Sequence, residues 1–168
     1  MSKSASKHRR SFSVLAGIMG LALLTACNPA LGVGERAPVP PSASLKEATQ
    51  VIALINSERQ RRGLPMLSDN GPLSRAAQDH ANDMAAKGYF AHRGKGGSSV
   101  GDRVKAEGYT YCLVAENLSK GYPTPELAVQ GWMNSEGHSA NILTPEFRDI
   151  GIGLAPEGLR VAVFGRRC

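Results

Sequence analysis

Asp149-Ile150-Gly151-Ile152-Gly153-Leu154-Ala155, then Pro156-Glu157-Gly158, then Leu159-Arg160-Val161-Ala162-Val163-Phe164-Gly165 is the stretch that decides the fold class. Two β-rich runs joined by a Pro-Glu-Gly turn predict a hairpin, so neighbouring strands here run antiparallel. Upstream, the apolar period changes from two to about four. Thr124-Pro125-Glu126 reads as an N-cap with Pro at the first helical position, opening a helix that turns Leu127, Ala128 and Trp132 inward. A short helix is expected from Ser98 or Ser99 to Gly108. Before it, a longer helix runs from about Leu73 to Lys87, with Leu73, Ala76, Ala77, His80, Ala81 and Met84 on one face and Gly88 as its stop. The first helix is expected to open at a capping box, Ser44-x-x-Glu47, with Leu45, Ala48, Ile52 and Ile55 recurring at helical spacing and Gly63 as its stop. The segment from Tyr109 to Leu118 is β-rich at its start. No βαβ alternation and no long-period repeat occurs, so the class is α+β, with helices packed on a small antiparallel sheet.

The N-terminal part of the 168-residue chain reads as an address. Lys3, Lys7, Arg9 and Arg10 precede an uncharged run from Ser11 to Ala26, the layout of a secretory signal and too short for a spanning helix. The run ends Leu24-Thr25-Ala26-Cys27, which looks like a bacterial lipobox: the Cys27 thiol accepts a diacylglycerol and the peptide upstream is cut. The bland alternative is an ordinary cleaved signal followed by a chance Cys. Residues 27–43 then form the lipid anchor and a tether rich in Pro29, Pro38, Pro40 and Pro41, with an extended reach of up to roughly 50 Å. The folded domain is expected over residues 44–168, on an exported lipoprotein held at the periplasmic or extracellular side of a membrane.

Charge and cysteine content follow from this division. Four of the 20 Lys and Arg residues lie in the signal, so without it the formal charge drops from +6 to +2. No nucleic-acid-binding surface is expected from such a balance. Of the three cysteines, Cys27 is assigned to the lipid. Cys112 and Cys168 are left in an oxidising compartment, where a disulfide between them would stabilise by about 4 kcal/mol on chain-entropy grounds. Two free thiols are the alternative.

Residues suited to chemistry are few. His92 lies in Tyr89-Phe90-Ala91-His92-Arg93-Gly94, where a helix has ended and a glycine-rich loop begins. His138 lies in the Trp132–Leu143 segment, expected just past a helix end. Glu116 lies in Ala115-Glu116-Asn117-Leu118, on or just after a strand. Loop histidines beside a carboxylate suit a metal or acid–base site, although each also has a purely structural reading. His80, on an apolar helical face, reads as a packed structural residue, and Trp132 and Met133 read as core. The Gly94–Ser99 loop lacks the residue order of a phosphate cradle. Ser135 and Ser139 flank His138, but no G-x-S-x-G elbow is present, and no H-E-x-x-H occurs.

These residues carry a resemblance. Leu54-Ile55-Asn56-Ser57-Glu58-Arg59, His80-Ala81-x-x-Met84-Ala85, Tyr89-Phe90-Ala91-His92, Ala115-Glu116-Asn117-Leu118, the Trp132–Leu143 segment and Asp149–Gly153 are similar, in this order, to the CAP superfamily in its bacterial form. That superfamily includes the SCP domain of cysteine-rich secretory and plant pathogenesis-related proteins. The resemblance implies a three-layer α–β–α sandwich with a shallow cleft lined by two His and two Glu. A divalent cation such as zinc is often held by the His pair. Carried over by position, the cleft residues are His92, Glu116 and His138, with His92 and His138 as the metal ligands. The second Glu would fall at Ser135; Glu136 is one residue later, a rotation of about 100° on a helix. Ser135 and Glu136 are thus edge candidates.

Two functions are consistent with this reading. The favoured one is a monomeric, non-enzymatic envelope module that binds a lipid-like or cell-wall ligand and carries a weak cation site. The alternative is a metal-dependent extracytoplasmic peptidase or esterase, since two His and one Glu can activate water on zinc. The displaced second Glu favours binding, because hydrolysis needs a well-placed general base.

Overall fold

The computed structural model describes residues 41–168. The expected signal segment, Cys27 and the tether up to residue 40 lie outside the described residues. Helix α1, Pro41–Gln60, begins three residues before Ser44, so Ser44 sits inside the helix instead of capping it, and the last tether residues are helical. Proline suits this first position because its missing N–H is one that a helix start leaves unpaired in any case. Helix α2 spans Gly71–Lys87: the Asn70 side chain accepts from the Leu73 N–H, and Gly88 ends the helix in the left-handed region. Helix α3, Val100–Ala106, opens on a reciprocal capping box between Ser99 and Asp102. Thr124 caps α4, Pro125–Met133. A fifth helix, α5, runs over Glu136–Leu143 and carries His138. His138 is therefore helical, not on a loop past a helix end.

The hairpin forms as the alternation implies. Strands β3 (Asp149–Ala155) and β4 (Leu159–Arg166) pair antiparallel from Asp149↔Gly165 to Ala155↔Leu159. Strand β2, Leu113–Ser119, pairs antiparallel with the other edge of β4. A two-residue strand, β1 (Ser68–Asp69), adds parallel to β3, so the sheet is mixed, in the order β1-β3-β4-β2.

Helices cover both faces, giving three layers. Val51 and Ile55 of α1, Val129 and Trp132 of α4 and Ile142 of α5 pack with Ile150, Ile152, Ala162 and Phe164 of the sheet. Leu73, Ala77 and Met84 of α2 and Val104 of α3 pack on the opposite face with Leu118, Val161 and Val163. The alternation along β4 is the period of two that a doubly covered strand needs. Two polar side chains tie the first layer together. The Asn56 amide donates to Leu67 O at 2.9 Å and accepts from Leu67 N–H at 2.7 Å. Arg59, fully buried, donates to Pro65 O, Ile142 O and Thr144 O at 2.7–2.9 Å, so carbonyl dipoles rather than a carboxylate offset its desolvation. Cys112 and Cys168 form a disulfide that ties the last residue to the start of β2.

The close seating of α2 on β3 explains the Ile-Gly-Ile-Gly alternation. Ile150 and Ile152 face α1, whereas Gly151 and Gly153 face α2. A Cβ at Gly151 would lie 2.2 Å from the Leu73 and Ser74 backbone, and one at Gly153 would lie 2.3 Å from the Ala77 backbone. Backbone, unlike a flexible side chain, cannot give way. Gly153→Ala is expected to destabilise by more than the roughly 1–3 kcal/mol of ordinary overpacking, read as a lower urea midpoint; an unchanged midpoint would contradict this seating.

Candidate functional site

The candidate site is built around β2, an edge strand whose neighbouring residues point to opposite faces. The Glu116 side chain, on the α2–α3 face, is buried. One of its oxygens, Oε1, lies 2.9 Å from His92 Nδ1. The other, Oε2, accepts from Arg103 Nη2 at 2.6 Å. Arg103 is delivered by α3, and its side chain is only 10% exposed. Besides Glu116 it donates to His92 O at 3.1 Å and to Ser98 O at 3.0 Å. A single guanidinium therefore holds the carboxylate and both ends of the glycine-rich loop.

The loop is also held from below. His80 Nε2 lies 2.9 Å from Ala91 O. A carbonyl can only accept, so Nε2 carries the proton. Burial first, and then the positive charge of Arg103, hold the His80 imidazole below its ordinary range, so it is neutral at neutral pH. With its backbone fixed and its Nδ1 on Glu116, His92 is still 62% exposed. Its Nε2 makes no bond among the described residues and is left to solvent.

Asn117 organises the other half. It points toward α5, where its Nδ2 donates to His138 O at 2.9 Å and its Oδ1 accepts from Asn141 Nδ2 at 2.9 Å. The His138 imidazole is half-buried. Burial, followed by the neighbouring charge of His92, holds it below the usual imidazole range. Ser135 is half-buried at the N-cap position of α5 without a side-chain capping bond. Glu136 is exposed in the first turn, and its carboxylate makes no hydrogen bond or ion pair among the described residues. The structure thus joins His92 to Glu116 and, through Asn117, the backbone of His138 to the same strand; Glu136 makes no side-chain bond to any of them. Among the described residues no group of three or more His, Cys, Asp or Glu side chains is arranged to hold a metal.

A family model described as "CAP: Cysteine-rich secretory protein family" matches residues 52–164. The chain belongs to this family. The CAP domain is 43% identical over 118 residues to the uncharacterized protein YkwD of Bacillus subtilis, covering 70% of this chain and 46% of YkwD. It is 32% identical over 105 residues to the uncharacterized membrane protein YlbC of the same organism, covering 62% and 30%. The chain thus spans less than half the length of these two relatives. Among solved structures, an extracellular SCP-domain protein of Bacillus anthracis superposes with a TM-score of 0.73 at 29% identity, over 77% of this chain and 45% of that one. An outer surface protein of Borrelia burgdorferi superposes with a TM-score of 0.69 at 19% identity, over 77% and 97%, a likeness of fold alone.

Three residues of the CAP cleft had no role in the sequence reading. Asn117 and Asn141 lie inside quoted motifs, but nothing in a linear motif says that one amide will hold the other. Arg103 lies in none; its signal is its place four residues after the Ser99 cap, on the helix turned toward Glu116. Arg103→Met would leave Glu116 buried without its cation. A loss of roughly 3–5 kcal/mol in unfolding free energy is expected, partly restored by Arg103→Lys. A wild-type-like denaturation curve for Arg103→Met would show that the ion pair does not hold the site.

Proposed function

We propose that this CAP domain is an exported, lipid-anchored binding module of the cell envelope. It carries a weak divalent-cation site, such as zinc, on His92 and His138, and takes a lipid-like or cell-wall ligand. The observation that carries the reading is that both oxygens of Glu116 are engaged, one by His92 Nδ1 and one by Arg103. A hydrolytic general base needs a carboxylate oxygen free to take a proton from water. Glu116 instead has the bonding of a residue that orients an imidazole, leaving Nε2 to face outward, the arrangement in which a carboxylate supports a metal-ligating histidine. Two imidazoles fit a cation only loosely, with water completing its coordination. When bound, the cation would supply a Lewis-acidic contact for an oxygen of the ligand.

Export is supported by the disulfide, a bond of oxidising compartments, and by the Bacillus anthracis relative, which is described as extracellular. No helix among the described residues is long and apolar enough to cross a membrane. Attachment in this reading rests on the lipid at Cys27, and the domain acts as a monomer.

Zinc titration by calorimetry tests the site. His92→Ala and His138→Ala are each expected to weaken binding at least about tenfold, and Glu116→Gln by roughly 10–100-fold as an orienting partner. Affinity should fall on acidification, because a protonated imidazole cannot ligate. His138, held below the usual range, should stay competent to lower pH than an ordinary histidine. Unchanged affinity in both His variants would remove the cation site. Zinc-dependent cleavage of an ester or peptide, abolished by Glu116→Gln, would replace the binding reading with the hydrolase.

A further inference from the structure

A second cavity lies at the turn of the β3–β4 hairpin, and none of its lining residues belongs to the CAP cleft. It encloses about 650 Å³, within the range of small-molecule sites (roughly 300–1,000 Å³). Its walls come from the start of α1, the middle of α2, the loop before α4 and the β3–β4 turn. We propose that this cavity binds a neutral sugar unit of a cell-wall glycan. The proposal rests on the envelope-binding reading for where such a ligand is met, and not on the cation site.

The chemistry of the walls selects the ligand. Arg160, only 3% exposed, is the one cation lining the cavity among the described residues, and it is already committed. Its Nε and Nη2 lie 2.9 and 2.7 Å from Glu47 Oε1, and its Nη1 donates to Tyr122 O and Gly158 O at 2.9 and 3.1 Å. A guanidinium neutralised by a carboxylate and saturated by two carbonyls does not draw a phosphate or a carboxylate. An acyl chain fits no better, because three polar groups in the wall would lose water without gaining a partner. These are Ser44 Oγ, Glu47 Oε2 and Asn82 Nδ2, none bonded among the described residues. A peptide strand is also disfavoured. Strand addition needs open backbone groups at the sheet edge, yet the Gln78 amide accepts from Leu154 N–H at 3.0 Å and donates to Leu154 O at 2.7 Å.

What remains is a ligand with several neutral hydroxyls or amides on one side and an apolar face on the other. The three free groups offer a hydroxyl, a carboxylate acceptor and an amide donor. The apolar counterpart is Tyr122 with Pro123, Leu154 and Pro156. Tyr122 is positioned yet accessible. Its hydroxyl end rests against α4 at Gly131, where a Cβ would come within 2.4 Å, while the residue stays 39% exposed. The C–H face of a pyranose packs on the electron-rich face of such a ring, and its hydroxyls reach the polar wall.

The test uses the purified protein and N,N′-diacetylchitobiose, followed by amide chemical shifts. Saturable shifts are expected around Gly121–Pro123 and Leu154–Gly158. Asn82→Asp keeps the oxygen that accepts from Gln78 Nε2 but removes the free amide donor. It should weaken binding at least fivefold without lowering the melting temperature. Ser44→Ala, which removes no bond of the folded protein, should weaken it as well and serves should Asn82→Asp prove unstable. His92→Ala should leave the sugar affinity unchanged, so loss of the cation site and loss of the glycan site are told apart. The proposal is overturned by any of four results: no shifts at millimolar sugar, equal affinity in both variants, shifts centred on His92 and His138, or an alanyl peptide binding at this cavity in place of the sugar.

Discussion

Glu116 and Asn117 are consecutive residues of an edge strand, so their side chains must leave the sheet on opposite faces. The cleft depends on that constraint. Glu116 reaches the α2–α3 layer, where Arg103 and His92 meet its two oxygens, and Asn117 reaches α5, where it holds His138 O and Asn141. One dipeptide thereby holds the His92 imidazole and the His138 backbone, which lie 46 positions apart in the chain. Asn141 Nδ2 also approaches Glu116 O at 3.4 Å, so the edge of β2 is covered where the two layers meet.

This arrangement is reliable only if the layers cannot slide. Gly151 and Gly153 let the α2 backbone sit directly on β3, which fixes α2 along the sheet. From α2 the restraint passes along the chain: His80 holds Ala91 O, Gly88 turns the chain out of the helix, and Arg103 closes the loop at His92 O and Ser98 O. On the other face Arg59 plays the matching part, fastening the end of α1 to the end of α5 through carbonyls alone. His92 can therefore be largely exposed and still be oriented.

Much of this was legible in the sequence because strong local signals marked it. Thr124-Pro125, the Ser98-Ser99 pair and Gly88 place three helix ends by capping chemistry, and the Pro-Glu-Gly turn places the hairpin. The parts that were not legible lack such signals. Helix α5 is short, buries only Ile142, and starts at a Ser135 that makes no capping bond, so His138 reads as loop. Strand β1 is two residues long and exists only because β3 offers it an edge. At α1, a good capping box at Ser44 lost to continuation of the helix back to Pro41. Within the site, His92 and Glu116 stand in recognisable motifs, whereas Arg103 becomes informative only once α3 is set against β2. The difference is one of range: caps and turns are decided within a few residues, and ion pairs across layers are decided by the packing.

The central claim is that Glu116, paired on one side with Arg103, accepts on the other from His92 Nδ1–H and so presents a bare Nε2 to the cleft. Nitrogen-15 NMR of the His92 ring at about pH 8, above the ordinary imidazole range, reads this directly. The account predicts that the Nδ1–H tautomer predominates. Predominance of the Nε2–H tautomer, the form a free imidazole in water prefers, would contradict it.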